Sequence, residues 1–226
     1  MGRRNVEVRR EEILTATIAE IEKSGMSALR VSDIANALGV STSLVFYHFD
    51  TKDALLVEAL EYAVVRDADR LDKAVARAGT PIERLRRVLA SYGPTGEAHG
   101  WTLWIEAWST ALRESSIQAS LRKLDGRWRD ALERVIVEGI DSGDFRCPDP
   151  KGAVAKVGAL LDGLSVAALV YKSVSRKQLQ SWVREATADE IGVDRALLAR
   201  PNDSGARPTG SRKRRREAVA TGSARR

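Results

Sequence analysis

Two groups of side chains in this sequence are chemically suggestive. The first is Thr42, Ser43, Phe46, Tyr47 and His48, with Ser41 just before them and Lys52 just after. Hydroxyls can meet phosphate oxygens or base edges, and a flat ring can lie on a thymine methyl. The second is Trp101, Trp104 and Trp108, at i, i+3 and i+7 of one helix, followed by Trp128 on the next, with Glu106 close in sequence and Asp162 further on. Aromatic walls with a few polar groups are the ordinary make-up of a small-molecule site. Ring faces beside Glu106 or Asp162 would suit a cation. Each group has a plainer alternative: a helical hairpin with rings on its surface for the first, hydrophobic core for the second.

Catalysis has little to draw on. His48 and His99 are the only histidines, and no Cys/His pair has metal-ligand spacing. No glycine-rich phosphate loop and no GxSxG stretch occurs. Glu11-Glu12 and Asp189-Glu190 are adjacent on helices and so point apart. Neither an enzyme nor a bound cofactor or metal is expected.

The elements that position the first group are short. In residues 31–38, Ile34, Ala35 and Leu38 form one apolar stripe, and Gly39 stands where a left-handed residue stops a helix. Ser41 is a good N-cap for a second helix of about seven residues. Helix, glycine turn and helix make a helix-turn-helix, in which the second helix enters the major groove of DNA. An opening helix over residues 7–24, with Ile13, Leu14, Ile18 and Ile21 at helical spacing, would pack on this pair. Residues 1–6, with Arg3 and Arg4, read either as an arm reaching the minor groove or phosphates, or as a frayed end.

The same residues carry a resemblance to the DNA-binding domain of the TetR family of bacterial repressors. It rests on the helix over residues 10–22 (REEILTATIAEIE), Gly25, Leu29, Asp33-Ile34-Ala35, Gly39-Val40-Ser41, Val45 to Phe49 (VFYHF), Lys52 and Leu55-Leu56. Two positions depart from the family pattern. Arg30 stands where a capping Thr or Ser is usual, so Ser32 is expected to cap the helix instead. Phe46 replaces the usual tyrosine and removes one hydroxyl. The resemblance implies that Ser32, Ser41, Thr42, Ser43, Phe46, Tyr47, His48 and Lys52 form the DNA-binding set, with Tyr47, His48 and Lys52 on phosphates. It also implies a homodimer and an inducer pocket among the middle helices. The stretch from Trp101 to Leu164, including Asp162-Gly163-Leu164, more loosely resembles the choline-responsive BetI-like branch.

The rest of the chain reads as all-α, about nine helices, with no alternating strand pattern. Further helices are predicted over residues 52–78, 81–92, 97–113, 116–142, 151–173 and 175–191. The helix over 151–173 is apolar nearly all round, so it must be covered on every side. Gly158, Gly163 and Ala167 would let another helix approach, and this helix with the next reads as half of a four-helix dimer interface, the alternative being a monomer's central helix. Lys156 and Asp162 argue against a membrane span, and no apolar run follows Met1, so no signal peptide is expected. The single cysteine, Cys147, excludes an internal disulfide and fits a reducing cytoplasm.

Apolar residues at 43% and charged residues at 30% describe an ordinary globular protein, but the net charge of +6 misleads. Residues 201–226 hold eight basic and two acidic side chains, whereas residues 1–200 hold 29 of each. The folded part has no broad positive field, so DNA affinity must come from a few placed contacts or from the tail. The organisation predicted is therefore a DNA-binding domain over 6–66, a ligand-binding and dimerisation domain over 67–200, and a disordered basic tail over 201–226. The run RKRRR at 212–216 is open to three readings: a solvated tail, a nonspecific DNA clamp, or a site for another anionic partner. The function expected is a homodimeric repressor released from a palindromic operator by a small molecule. An activator or a DNA-coating protein using the tail is the alternative.

Overall fold

The computed structural model describes residues 3–92 and 101–199. The basic tail, His99 and the break at residues 93–96 lie outside them. The described residues form ten helices and no strand. The all-α expectation holds. In chain order they are α1 Arg3–Ser24, α2 Val31–Leu38, α3 Thr42–His48, α4 Lys52–Ala76, α5 Pro81–Ser91, α6 Trp101–Ala111, α7 Ser115–Asp141, α8 Pro150–Leu169, α9 Arg176–Glu190 and α10 Arg195–Ala199.

Most helix starts are set by side chains that accept the free first-turn N–H groups. The Ser41 hydroxyl accepts from the Leu44 amide at 3.2 Å, Thr51 from Ala54 at 3.0 Å, and the Asp149 carboxylate from Gly152 at 2.9 Å. Thr80 with Glu83, and Ser175 with Gln178, make reciprocal capping boxes. Helix α2 departs from expectation. Its N-cap is Arg30, which makes no side-chain cap bond, and Ser32 already lies in the first turn, exposed and not capping. A guanidinium has no acceptor, so α2 is held by Ile34 and Ala35, both buried, and by its end. There Gly39 at φ 65° closes the helix, and the Val40 amide donates to the Ala35 carbonyl at 2.9 Å.

Two further differences concern the ends of the chain. Helix α1 begins at Arg3 rather than at residue 7, because no stop signal separates the RRNV stretch from the helix that follows. Helix α10 was not legible in advance. Five residues are too short to show a period, and it is fastened by Leu198, fully buried, and by Arg86, which donates to the Leu197 carbonyl.

Two cores result. The first joins Ile13, Ile18, Ile21, Ile34, Val45 and Phe49 of the head to Leu55 and Leu60 of α4, and extends into Trp101, Leu103, Trp104 and Ala107 of α6. The second fills the space among the end of α4, α5, α7, α8, α9 and α10, with Leu85, Leu132, Ile136, Val157, Leu161 and Leu179. Helices α4 and α6 thus belong to the head as much as to the body.

Helix α8 is long and apolar enough to cross a membrane by length and composition. Its buried face lies in the second core, and Lys156 bonds Glu190 at 2.9 Å. The cover expected for it is only partly supplied within the chain. Gly158 faces Arg129 and Trp128, so it serves α7 and not a second subunit. Gly163 has open space beside it.

Candidate nucleic-acid interface and ligand cavity

Helix α3 stands out from the head with one buried residue, Val45. Ser41, Thr42, Ser43, Phe46 and Tyr47 are all exposed, Tyr47 at 76% and Phe46 at 45%. Two adjacent large rings are thus held partly in water on a seven-residue helix, an exposed apolar pair beside three hydroxyls. Ser41 also touches Ser43, Oγ to Oγ at 3.0 Å, so its hydroxyl is divided between the helix cap and its neighbour. His48 is half-buried, its ring edge-on to Tyr47 at 5.3 Å. Burial first, then Arg10 and Arg9, hold its imidazole below its ordinary pKa. It is therefore a neutral N–H donor at neutral pH rather than a cation. Lys52 opens α4, half-buried, one turn beyond the end of α3.

The residue that sequence reasoning missed is Arg10. Its guanidinium lies 4.3 Å from the centre of the Phe49 ring, donates to the His48 carbonyl at the end of α3, and pairs with Glu58 of α4. Three elements meet at this one side chain. Its partners are 38 and 48 positions away, and no local pattern announces such a contact.

The second site is a cavity of about 300 Å³ among α4, α5, α6, α7 and α8. Trp101, Trp104, Trp108 and Trp128 all line it. Tyr92, not expected from the sequence, completes the aromatic wall: its ring lies 4.3 Å from Trp128 and 6.0 Å from Trp101, and Trp101 meets Trp108 edge-on at 5.5 Å. The indole N–H groups of Trp101 and Trp128 are buried with no acceptor.

Three carboxylates reach this cavity. Asp125 bonds Arg129 at 2.7 Å, and Asp67 pairs with Arg70. Asp162 is different: its bond is from the neutral Tyr92 hydroxyl. Burial raises the Asp162 carboxyl above its usual range, and the same burial, together with Asp162, raises the Tyr92 phenol. The Arg129 charge pulls the Asp162 carboxyl back down without forming an ion pair with it, so Asp162 is a half-buried carboxylate that no cation yet bonds.

Asp67 is pushed up to about 6, chiefly by burial, against the pull of Arg70 and Arg66 and with a push from Glu22. A carboxyl raised on folding favours the folded state at low pH. That contribution is present below about pH 4, the unfolded value, and is lost as pH rises through about 6. Asp67→Asn is therefore expected to gain thermal stability relative to wild type as pH goes from about 4 to about 7, by up to about 2–3 kcal/mol less the lost Arg70 contact. Melting curves of both proteins across that range check it; a constant difference would show that Asp67 titrates normally.

Glu106 does not belong to the cavity. It stands two positions from Trp104 and two from Trp108, which on a helix places it on the opposite side. Its carboxylate accepts instead from the Met26 amide, at 3.3 Å, in the turn between α1 and α2. Helical angle, read from the sequence, carried that signal; closeness in sequence did not. No group of three or more His, Cys, Asp or Glu side chains could hold a metal among the described residues.

Comparison with known proteins follows the same division. Residues 13–59 match the family model for bacterial regulatory proteins of the tetR family, and residues 81–192 match that for the C-terminal part of BetI-type transcriptional repressors. The transcriptional regulator BetI of Paraburkholderia phymatum is 30% identical over 202 residues, covering 87% of this chain and 91% of that protein. A regulator from Saccharomonospora viridis, solved in complex with choline, superposes with a TM-score of 0.75 at 26% identity, over 82% of this chain and 98% of that one. A TetR transcription regulator from Haloarcula marismortui superposes at 0.70, also at 26% identity and over the same shares.

Proposed function

Because the chain belongs to the TetR family of DNA-binding transcriptional regulators and is no enzyme, we propose that it acts as a cytoplasmic homodimeric repressor whose cavity takes a small organic cation. The exposed rings and hydroxyls of α3 support groove reading by Thr42, Ser43, Phe46 and Tyr47. Tyr47, Lys52 and the neutral His48 are assigned to phosphates, and Ser32 and Ser41 to the margins of the contact. Dimerisation through α8 and α9 is supported by what those helices leave uncovered. Trp182 is 43% exposed and Val170 52%, Leu160 and Leu164 are only half-buried, and Gly163 has room beside it. Two-fold symmetry would set the two copies of α3 about 34–36 Å apart, one DNA turn, and so calls for a palindrome.

The ligand class follows from one observation: Asp162 is bonded by a neutral hydroxyl, not an ion pair, at a wall of five aromatic rings. Ring faces attract a cation, most strongly when it is desolvated. The choline held by the structural relative is of this class. Binding there would favour one arrangement of the heads and lower operator affinity.

Selection of duplexes from a random pool by the purified protein tests the proposal. A palindrome released by choline is the expected result; a non-palindromic consensus would remove the dimer reading. On the selected site, Lys52→Ala should weaken binding by about threefold to tenfold on all sequences alike, and Tyr47→Ala by about tenfold or more. Titration by fluorescence anisotropy reads both, and wild-type affinity in both variants would remove the assignment of α3.

A further inference from the structure

Helix α6 has two opposed faces with different work. Trp101, Trp104 and Trp108 line the cavity. Leu103, Glu106, Ala107 and Thr110 lie on the other side, at i, i+3, i+4 and i+7. Leu103 and Ala107 are fully buried in the core that holds Ile13, Ile18 and Ile21 of α1. Beside them Glu106 accepts the Met26 amide, and the Thr110 hydroxyl lies 3.7 Å from the Met26 sulfur.

The turn they hold is a sensitive one. Gly25 sits at φ +80°, and a Cβ there would lie 3.0 Å from the Glu106 carboxylate. The Gly25–Met26 bend opens the turn that joins α1 to α2. A ligand in the cavity lies against the tryptophan face, and any shift of α6 that it causes must carry this bend or break its bond to Glu106.

We propose that Glu106 is the positioning residue that transmits cavity occupancy to the DNA-binding head, by tying the Gly25–Met26 turn to the side of α6 that faces away from the ligand. The proposal rests on the cavity being the ligand site. What Glu106 supplies is an acceptor at the right reach, not a charge, since its partner is a neutral N–H. Two conservative substitutions separate these. Glu106→Gln keeps the reach and an acceptor oxygen. Glu106→Asp keeps the charge but withdraws the carboxylate by about 1.5 Å, one carbon–carbon bond.

The test uses the full chain with choline as the probe, and operator affinity as the readout. Tryptophan fluorescence reports choline binding separately. Coupling between sites of this kind is typically about 5- to 150-fold. Wild type and Glu106→Gln should show it. Glu106→Asp should bind choline with near wild-type affinity, yet choline should change its operator affinity, whatever its starting value, by less than about twofold, where typical coupling exceeds fivefold. Full coupling in Glu106→Asp would overturn the proposal. If choline fails to bind wild type, the ligand reading fails by itself, and the reverse direction still decides, because coupling is reciprocal. Operator binding should then alter amide exchange across residues 101–111 in wild type and Glu106→Gln but not in Glu106→Asp. The same change in all three, or none in wild type, overturns the role of Glu106.

Discussion

Replacing Arg10 by alanine is expected to weaken operator binding by about ten- to a hundredfold, a loss of roughly 1.4–2.8 kcal/mol, without any assumed contact between Arg10 and DNA. The C-terminal carbonyls of a helix lack partners and carry the negative end of its dipole. At the end of α3 the His48 carbonyl is met by the Arg10 guanidinium, whose face also covers Phe49 and whose other nitrogen pairs with Glu58. A bond from a charged donor contributes about 1.5–3 kcal/mol, and the ring contact about 0.5–2. The pair with Glu58 adds at most about 1, since both side chains are 37% exposed. These do not add in full, and the stability of the head should fall by about 2–4 kcal/mol. Arg10→Lys recovers little, because an ammonium cannot bond two acceptors through a rigid fork while laying a flat face on a ring. A second effect works the other way. Arg10 helps hold the His48 imidazole below its ordinary pKa, so without it His48 protonates more readily and gains attraction for a phosphate. The deficit in the variant should therefore shrink as pH is lowered toward 6. Operator titrations at two pH values with a melting curve check both parts. A variant that melts and binds like wild type would show that α3 is positioned by its core residue Val45 alone.

Why Arg10 was invisible in the sequence, while the helices around it were legible, comes down to range. Caps act within three residues, so Gly39 and Ser41 could be read directly, and each closes or opens the helix expected of it. The apolar stripes of α1, α4 and α7 are equally local and gave the all-α architecture. Resemblance supplied what periodicity could not, namely that α3 is a reading helix rather than part of a hairpin. What failed needed distance or direction. Ser32 was assigned a cap on the assumption that α2 must have one, and burial of Ile34 and Ala35 made it unnecessary. Gly158 was read as room for a second subunit, whereas Trp128 and Arg129 of α7 lie against it. Tyr92 is the last residue before a stretch of Gly and Pro, where a sequence shows only a break. Its value to the cavity comes from Trp128, 36 residues on in the sequence.

Asp162→Asn is the sharpest test of the ligand class, and its expected effect is a loss of about ten- to a hundredfold in affinity for choline. Two charges about 4 Å apart at a protein surface attract by roughly 4 kcal/mol at an effective dielectric near 20. Part of this is lost because the cavity is open to water and because burial already raises the Asp162 carboxyl, so that some cation binding energy is used to release a proton. The alternative of removing a ring is less clean. Trp128 is 3% exposed and stacked on Tyr92, and Trp128→Ala should cost about 3–5 kcal/mol of stability before any ligand is considered. Asparagine is nearly isosteric with aspartate and still accepts from the Tyr92 hydroxyl, so the wall is preserved and only the charge is removed. The sign of the pH dependence is fixed by the same argument. The cation prefers ionised Asp162, whose pKa in the free protein is raised, so wild-type affinity should climb as pH rises through that raised value and then level off, with protons released on binding. In Asp162→Asn the Asp162 part of that climb disappears, leaving only what Asp67, pushed up to about 6, contributes at the other side of the cavity. Calorimetry in two buffers of different ionisation enthalpy reads affinity and proton release together. Equal choline affinity in both proteins, with no proton released by either, would mean that the aromatic wall selects its ligand by shape and not by charge.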